Sequence, residues 1–296
     1  MDWTSADLDA FNIVVQDQDQ DTFFDGPLPD YSGFPGFIEK EEIVIPMEFR
    51  NFSFQLALKV EHARKNMNAS PFEAEWTFNE FLGQLLRFMK YQDLQSHRTR
   101  TFVSEGTHIR MTVRNESVVT IANVEVKHLI GTYPTMLILQ HNKTAIKVSD
   151  PEAHLIATAI AVFQQNKKAG TRSKLQEQVI LGTRTVEELE IIAERPELEE
   201  QVILGITTAE QIIPTFYRIK VTTELDCAVR LGEKPATQTV VYRHKARVPK
   251  PYDDIMTLEN RRRIVLYLEG FRKLLEAQCH SFPCLRRCQE CSTATA

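Results

Sequence analysis

Val118 to Gly131, with the sequence VVTIANVEVKHLIG, is the stretch from which the fold of this chain is predicted. Its β-branched and aliphatic residues predict a buried strand that ends in Glu125-Val126-Lys127. Residues i and i+2 of a strand share a face, so we expect Glu125 and Lys127 to point the same way while Val126 points into a core. A carboxylate that holds a divalent cation, beside an amine that stabilises developing charge, suits phosphodiester cleavage. The same triplet is also typical of a surface ion pair at a strand end, and both interpretations stay open at this point.

The composition is that of a folded protein without a global basic signature. The 296 residues include 43% hydrophobic side chains, which is enough for one large domain or two modest ones. The net charge is -5 and the isoelectric point is about 6.0, so contact with nucleic acid would need a local basic patch. The N-terminal residues lack a signal-peptide pattern, and no run approaches the roughly 18 apolar residues of a membrane span. These features predict an intracellular protein, cytoplasmic or nuclear, that does not contact a membrane.

Residues 1–36 differ in composition from the rest of the chain. They hold eight aspartates and no Lys or Arg, with aromatic side chains spread among them. Such a segment is predicted to be a flexible, solubilising arm, or alternatively an acidic arm that docks on a basic surface of this chain or of a partner. We then expect residues 37–278 to form an α/β domain and residues 279–296 to form a cysteine-rich tail.

Apolar spacing predicts the order of the helices and strands in that domain. Helices are expected at 51–67 and 71–92, and Ser70-Pro71 marks the start of the second. Three strands and a helix follow, at 99–104, 108–114, 118–127 and 152–167. The remaining predicted elements are two strands and a final amphipathic helix, at 215–221, 239–243 and 257–278.

An internal repeat follows the helix predicted at 152–167. The sequence LQEQVILG at 175–182 returns as LEEQVILG at 198–205. Two copies are too few for a solenoid, which needs about three repeats to bury a continuous core. The repeat therefore predicts a local duplication inserted in a loop near 171–205.

The predicted order of elements is a helix, three strands ending in Glu125-Val126-Lys127, a helix and a strand. This order resembles the α-β-β-β-α-β core of the PD-(D/E)XK nuclease-like superfamily, the restriction-endonuclease-like fold, here with extra N-terminal and C-terminal helices. The resemblance implies an α/β (α+β) fold and a phosphodiesterase or nuclease that depends on a divalent metal, Mg²⁺ or Mn²⁺. It implies Glu125 as a metal ligand and Lys127 as the electrostatic stabiliser. It also implies a second metal ligand from the early helix, Glu80 or else Glu75.

One position departs from the pattern of that superfamily. The superfamily has an Asp on the second strand, but this chain has no Asp between Asp93 and Asp150, and Arg110 lies on the strand predicted there. A cation at that place competes with a metal ion instead of binding it. Two hypotheses therefore stay open: a metal-dependent nuclease, or a non-catalytic protein on the same scaffold that binds nucleic acid or a protein partner. In the second case, the acidic arm and Arg261 to Arg263 are the expected contact surfaces.

A second resemblance covers about half of the chain, from His154 onward. It is carried by LIATAIAVFQQN at 155–166, by Gly205-Ile206-Thr207, by PTFYRIKV at 214–221 and by Asn260-Arg261-Arg262. These segments resemble uncharacterised predicted proteins of mushroom-forming (basidiomycete) fungi. The resemblance implies a source and not a function, because that family has no assigned activity.

Four of the five cysteines lie near the C-terminus, at Cys279, Cys284, Cys288 and Cys291. The spacing C-x4-C-x3-C-x2-C offers enough thiolates for Zn²⁺ or an iron–sulfur cluster. It matches no common zinc-finger template, and in a reducing compartment such thiols can also stay free. The fifth cysteine, Cys227, is predicted to be a small core residue.

Overall fold

Seven strands and six helices make up the described part of the chain. The structure, a computed structural model, describes residues 3–29, 71–92, 101–128, 135–141, 150–180, 198–208, 213–248 and 258–281. The strands are β1 (Ile13–Asp17), β2 (Thr101–Val113), β3 (Glu116–His128), β4 (Thr135–His141), β5 (Glu200–Thr208), β6 (Pro214–Thr222) and β7 (Thr239–Lys245). The helices are α1 (Ser5–Ala10), α2 (Gln20–Phe23), α3 (Pro71–Phe88), α4 (Pro151–Ile180), α5 (Thr223–Leu231) and α6 (Leu258–Ser281).

The strands form one mixed sheet in the order β1-β7-β6-β5-β4-β3-β2. The pairs β1/β7 and β4/β5 are parallel, and the other four neighbouring pairs are antiparallel. Because β6 is antiparallel to both β5 and β7, those two strands run in the same direction. The carboxyl ends of β1, β7, β5 and β4 therefore lie along one edge of the sheet. The predicted α/β class is confirmed.

Helices pack on both faces of the sheet, which is the middle of three layers. On one face, which we call the α3 face, α3 and α6 bury side chains such as Leu82 and Phe271 against Val126. On the other, the α4 face, α4 buries Ile160 and Phe163 against Ile138. The helix predicted at 152–167 is thus confirmed, and it continues to Ile180. Each fully buried Leu, Ile or Phe contributes about 2 kcal/mol to stability, so these two layers hold the sheet in place.

Residues 3–29, the described part of the predicted arm, belong to this fold. Strand β1 pairs with β7 at the edge of the sheet, and Trp3 and Phe23 are buried in the cores on its two sides. The aspartates partly serve as helix caps: Asp7 accepts from the Thr4 backbone N–H, and Asp19 accepts from the Thr22 N–H at 3.0 Å. The hydrogen bonds that the Thr22 N–H and hydroxyl donate lower the pKa of Asp19. Aromatic burial outweighs the acidic composition that predicted a flexible segment.

The two strands predicted at 99–104 and 108–114 are one continuous strand, β2. Its register with β3 is the same from Thr101 to Glu105 and from Thr107 to Val113, and Gly106, at φ +61°, lies between these two paired stretches. Val103 faces the α3-side core whereas Ile109 faces the α4-side core, so the β2–β3 ribbon turns over at this glycine. A glycine inside a strand can accommodate such a turn, which local sequence cannot distinguish from a strand end. As a correction to the prediction, β3 is the second of the three described strands between α3 and α4.

The two copies of the internal repeat have different structures. Residues 175–180 of the first copy belong to helix α4, whereas residues 200–205 of the second lie in β5, at the centre of the sheet. The second copy is therefore not an inserted loop. Its final residue, Gly205, lies under α4, because a Cβ there would be 2.8 Å from Leu155 Cδ2. The glycine lets the helix approach the strand closely.

Helix α5 and the tip of the β2–β3 hairpin were not predicted as a unit. Thr222 caps the helix by accepting from the Leu225 N–H, and Gly232 ends it in the left-handed conformation. Arg114 and Asn115, both at positive φ, form the hairpin tip and donate their N–H groups to Val229 O and Arg230 O at 3.0 and 2.7 Å. The tip thus satisfies the last carbonyls of α5. Cys227 on this helix is exposed, so its prediction as a core residue is wrong.

The remaining predictions agree with the described elements or lie outside them. Strands predicted at 215–221 and 239–243 are β6 and β7, and the helix predicted at 257–278 is α6. The helix predicted at 71–92 ends earlier, at Phe88. The helix predicted at 51–67 lies outside the described residues, as do Cys284, Cys288 and Cys291.

Candidate functional site

Glu125 and Lys127 lie near the carboxyl end of β3 and form an ion pair. The Lys127 Nζ contacts Glu125 Oε1, and the two side chains share a face as predicted. Glu125 is opposite Ile138 of β4, whose side chain belongs to the α4-side core, so this carboxylate points towards α4. The Glu125 side chain is 0% exposed and that of Lys127 is 16% exposed. The pair is therefore enclosed and is not a surface ion pair.

A hydrogen-bond network closes around the second oxygen of Glu125. Thr135 Oγ1 donates to Glu125 Oε2 at 3.0 Å. The Thr135 backbone is held in turn by α4, because Asn166 accepts from its N–H at 3.0 Å and donates to its carbonyl at 2.8 Å. Gln201 of β5 donates to the same carbonyl and accepts from Asn166. Four elements, β3, β4, β5 and α4, thus meet in one buried polar network.

This arrangement satisfies a buried charge and leaves it little freedom to act. One carboxylate oxygen contacts an ammonium and the other accepts a hydroxyl proton, which are the partners that a buried carboxylate needs. A metal ion would have to displace Lys127 or Thr135 from a side chain that solvent does not reach. The geometry is that of a structural ion pair that joins β3 to β4.

Glu80, the second predicted metal ligand, lies on α3. That helix packs on the face of the sheet opposite to α4, and Glu125 points towards α4. The structure therefore places Glu80 and Glu125 on different faces and does not bring them together. The side chain of Glu75 lies outside the described residues. In the part of the chain that the structure describes, no three His, Cys, Asp or Glu side chains are arranged to hold a metal ion.

Cys279, the first of the four C-terminal cysteines, is a core residue at the end of α6. It is 2% exposed, and its Sγ lies 3.7 Å from Met136 Sδ. Burial raises the pKa of the thiol to about 11, so the sulfur is protonated at neutral pH. A Zn²⁺ or iron–sulfur ligand has to be a thiolate. The four-cysteine site stays a prediction, and the environment of Cys279 favours packing.

Of the basic cluster at Arg261 to Arg263, the structure shows how Arg263 is used. Its Nη2 donates to Gln20 Oε1 at 2.8 Å, and its guanidinium lies 5.0 Å from the centre of the Tyr267 ring. The residue thus joins α6 to the N-terminal segment. The acidic segment meets other basic side chains of this same chain, since Asp25 pairs with Arg218 at 3.0 Å. The basic cluster therefore contacts the N-terminal segment through Arg263 and Gln20, and the acidic N-terminal segment contacts a basic residue of the sheet through Asp25 and Arg218.

Sequence reasoning missed a second polar cluster, at the carboxyl ends of β1 and β7. Arg243 donates to both oxygens of Asp17, at 2.6 and 3.0 Å, and to Glu152 Oε2 of α4 at 2.7 Å. The Arg243 guanidinium lowers the pKa of Asp17, and its two carboxylate partners raise the pKa of Arg243 itself. Burial raises the pKa of the neighbouring Tyr217. No local pattern signals this cluster, because its members are far apart in the sequence.

Beyond Gly106, the β2–β3 ribbon has one face that no described element covers. Its side chains alternate with the buried Ile109 and Met111 on β2 and with the buried Thr120 and Ala122 on β3. The uncovered side chains include two apolar residues and two basic ones, Val119, Ile121, His108 and Arg110. We call these four residues the ribbon face. It combines exposed apolar surface with positive charge, which is typical of an interaction surface.

Comparisons of the chain with protein-family models, with curated proteins and with solved structures found no match. Among the helices that the structure describes, none combines the length and the apolarity needed to cross a bilayer. Function therefore has to be argued from the geometry of this chain alone.

Proposed function

We propose that this protein is a non-catalytic binding protein built on a nuclease-like α/β scaffold. The observation that carries the proposal is the enclosure of Glu125, whose two carboxylate oxygens contact Lys127 and Thr135 inside the fold. A catalytic carboxylate has to reach a metal ion or a substrate. Glu125 instead stabilises the junction of β3 and β4.

The order of elements supports the scaffold. Helix α3, strands β2, β3 and β4, helix α4 and strand β5 follow each other along the chain, in the α-β-β-β-α-β order that the resemblance implies. The same order argues against catalysis, because the superfamily carries its E-x-K on the third strand. In the order that begins with α3, the third strand is β4, with the sequence TMLILQH, which contains no carboxylate.

The second candidate function, a nuclease that uses Mg²⁺ or Mn²⁺ with Glu125, Glu80 and Lys127, rests on the resemblance in element order and on the Glu125-Val126-Lys127 sequence. The two functions differ in one measurable property. The nuclease has to bind a divalent metal through Glu125, whereas the binding protein uses Glu125 only to hold its fold.

Calorimetric titration of Mg²⁺ and Mn²⁺ into the wild-type protein and Glu125→Gln tests the proposal. The glutamine keeps the volume of the side chain and removes its charge, and circular dichroism shows whether the variant is folded. We expect no metal binding below 1 mM, on the order of cellular Mg²⁺, by either protein, and no cleavage of single- or double-stranded DNA or RNA. Metal binding by the wild type that disappears in folded Glu125→Gln, together with metal-dependent cleavage, would overturn the proposal in favour of the nuclease.

A further inference from the structure

On the ribbon face, exposed apolar side chains lie beside an arginine that has no ion-pair partner among the described residues. Val119 and Ile121 are 46% and 39% exposed. Each is directly opposite a basic residue of β2, since Val119 pairs with Arg110 and Ile121 pairs with His108. Directly opposed residues in an antiparallel pair share a face, with Cβ atoms about 5 Å apart. The four side chains therefore form one continuous patch.

The cations of this patch have no counterion in the described part of the chain. Neither Arg110 nor His108 takes part in an ion pair or hydrogen bond of its side chain there. Most other arginines of the sheet are paired, for example Arg243 with Asp17 and Arg218 with Asp25. An unpaired arginine beside exposed aliphatic side chains is suited to a partner that supplies both a carboxylate and apolar contact.

Two other occupants fit this patch less well. A second copy of the same chain would present the same four side chains, and none of them is a carboxylate that could pair with Arg110. Nucleic acid is recognised on sheets by aromatic side chains that stack on bases, but the apolar residues here are the aliphatic Val119 and Ile121. The chemistry of the patch favours a protein segment.

We infer that the ribbon face binds an acidic protein segment in which carboxylate and aliphatic side chains alternate. This inference rests on the proposed binding function and adds the kind of partner. The carboxylates pair with Arg110, while the aliphatic side chains cover Val119 and Ile121. Because the patch is small, the affinity is expected to be weak, with a Kd of about 10 to 100 μM.

Fluorescence anisotropy with labelled 12-residue peptides tests the inference. The first peptide alternates Glu with Val and Leu, the second replaces Glu by Lys, and the third replaces the aliphatic residues by Ser. A labelled oligo-dT of similar length represents nucleic acid. The proteins are the wild type, Arg110→Glu and Val119→Ser, with Lys234→Glu and Val14→Ser as matched controls. Lys234 is an exposed lysine that follows α5 and lies outside the ribbon face, and Val14 is 42% exposed, close to the exposure of Val119.

We expect the acidic peptide to bind and the other probes not to bind. Arg110→Glu should weaken the binding of the acidic peptide by about tenfold and Val119→Ser by about threefold, and the two control variants should leave that binding unchanged. Equal binding of the Lys peptide, tighter binding of oligo-dT, or no binding below 1 mM, about tenfold above the weakest expected Kd, would overturn the inference. A dimer in sedimentation velocity that Val119→Ser dissociates would identify a second copy as the occupant and also overturn it. The metal titration is an independent experiment. A negative peptide result therefore leaves the proposed function standing. Glu125-dependent metal binding refutes that function, regardless of the result with the peptides.

Discussion

Helix α4 contacts one polar cluster at its first turn and another near its middle, and the two clusters differ in how they are assembled. Near the first turn, Glu152 meets Arg243 and Asp17 at the edge of the sheet. Fourteen residues further along α4, Asn166 holds the network around Thr135 and Glu125. The Glu125 carboxylate is fully enclosed, whereas Asp17 is 62% exposed. Water can therefore screen the charges of the first-turn cluster, but it cannot screen the charge of the Glu125 carboxylate.

This difference determines which cluster contributes more to stability. A buried charge that loses its partner keeps the full cost of its desolvation, which is typically 3 to 5 kcal/mol. An exposed ion pair is screened by water and contributes less than about 1 kcal/mol. The Glu125–Lys127 pair should therefore be the more sensitive to substitution, although it carries no catalytic role in our proposal.

The largest effect is expected for Lys127→Met, which removes the ammonium and leaves the Glu125 carboxylate buried. We expect the free energy of unfolding to fall by about 3 kcal/mol in urea denaturation. The double variant Glu125→Gln/Lys127→Met leaves no charge, and Glu125→Gln leaves only the Lys127 ammonium, which is 16% exposed, so each should lose less. If Lys127→Met is no less stable than the double variant, the two residues are not coupled and the enclosed pair is not the structural feature we describe.

A smaller loss is expected at the other cluster. Arg243→Met removes the partner of both Glu152 and Asp17 and should lower the free energy of unfolding by about 2 kcal/mol, since Glu152 is mostly buried. Asp17→Asn is the matched control. It keeps the Arg243–Glu152 pair, and solvent screening limits its effect to less than about 1 kcal/mol. A loss in Arg243→Met that exceeds the loss in Lys127→Met would reverse the comparison between the clusters.

The sequence predicted the Glu125–Lys127 pair because these two residues are close together in the chain. Glu125 and Lys127 are two residues apart in a recognisable strand, so their shared face follows from strand geometry. Asp17, Glu152 and Arg243 are brought together by the parallel pairing of β1 with β7 and by the packing of α4, and no local spacing reports such contacts. The α/β class and most of the helices and strands were predictable for the same reason, because hydrophobic periodicity is a local property of the sequence.

The internal repeat shows where local sequence stops being sufficient. Both copies contain Gln-Val-Ile-Leu-Gly, yet one begins in α4 and the other lies in β5. The residues that follow differ: the second copy continues with Ile206 and Thr207, and the first with Thr183 and Arg184. Ile206 and Thr207 are both buried in the sheet, where Thr and Arg would lose apolar contact or bury an unpaired charge. The two residues after the shared sequence thus favour the second copy as the central strand, which the repeat itself does not reveal.

The smallest effect, and one of opposite sign, is expected at a third carboxylate on the α4 face. Asp226 of α5 is 1% exposed like Glu125, but Lys167 Nζ, the cation that pairs with it, lies 4.0 Å away. Burial raises the pKa of Asp226. The fold is therefore favoured below the unfolded-state pKa of 3.8, and this advantage is lost as the pH rises through the folded-state pKa.

Asp226→Asn removes that pH-dependent cost and should raise the free energy of unfolding at pH 7 by up to about 1 kcal/mol. The gain should shrink towards zero below pH 3.8, because the wild-type side chain is then neutral as well. Glu224→Gln, on the same helix, is the control of opposite sign: the Thr237 N–H donates to Glu224 and lowers its pKa, so its charge favours the fold at neutral pH. Urea denaturation of both variants between pH 3 and pH 7 measures the difference. A loss of stability in Asp226→Asn at pH 7 would mean that Lys167 compensates the buried carboxylate as fully as Lys127 compensates Glu125. The contrast between the close ion pair of Glu125 and the more distant ion pair of Asp226 would then disappear.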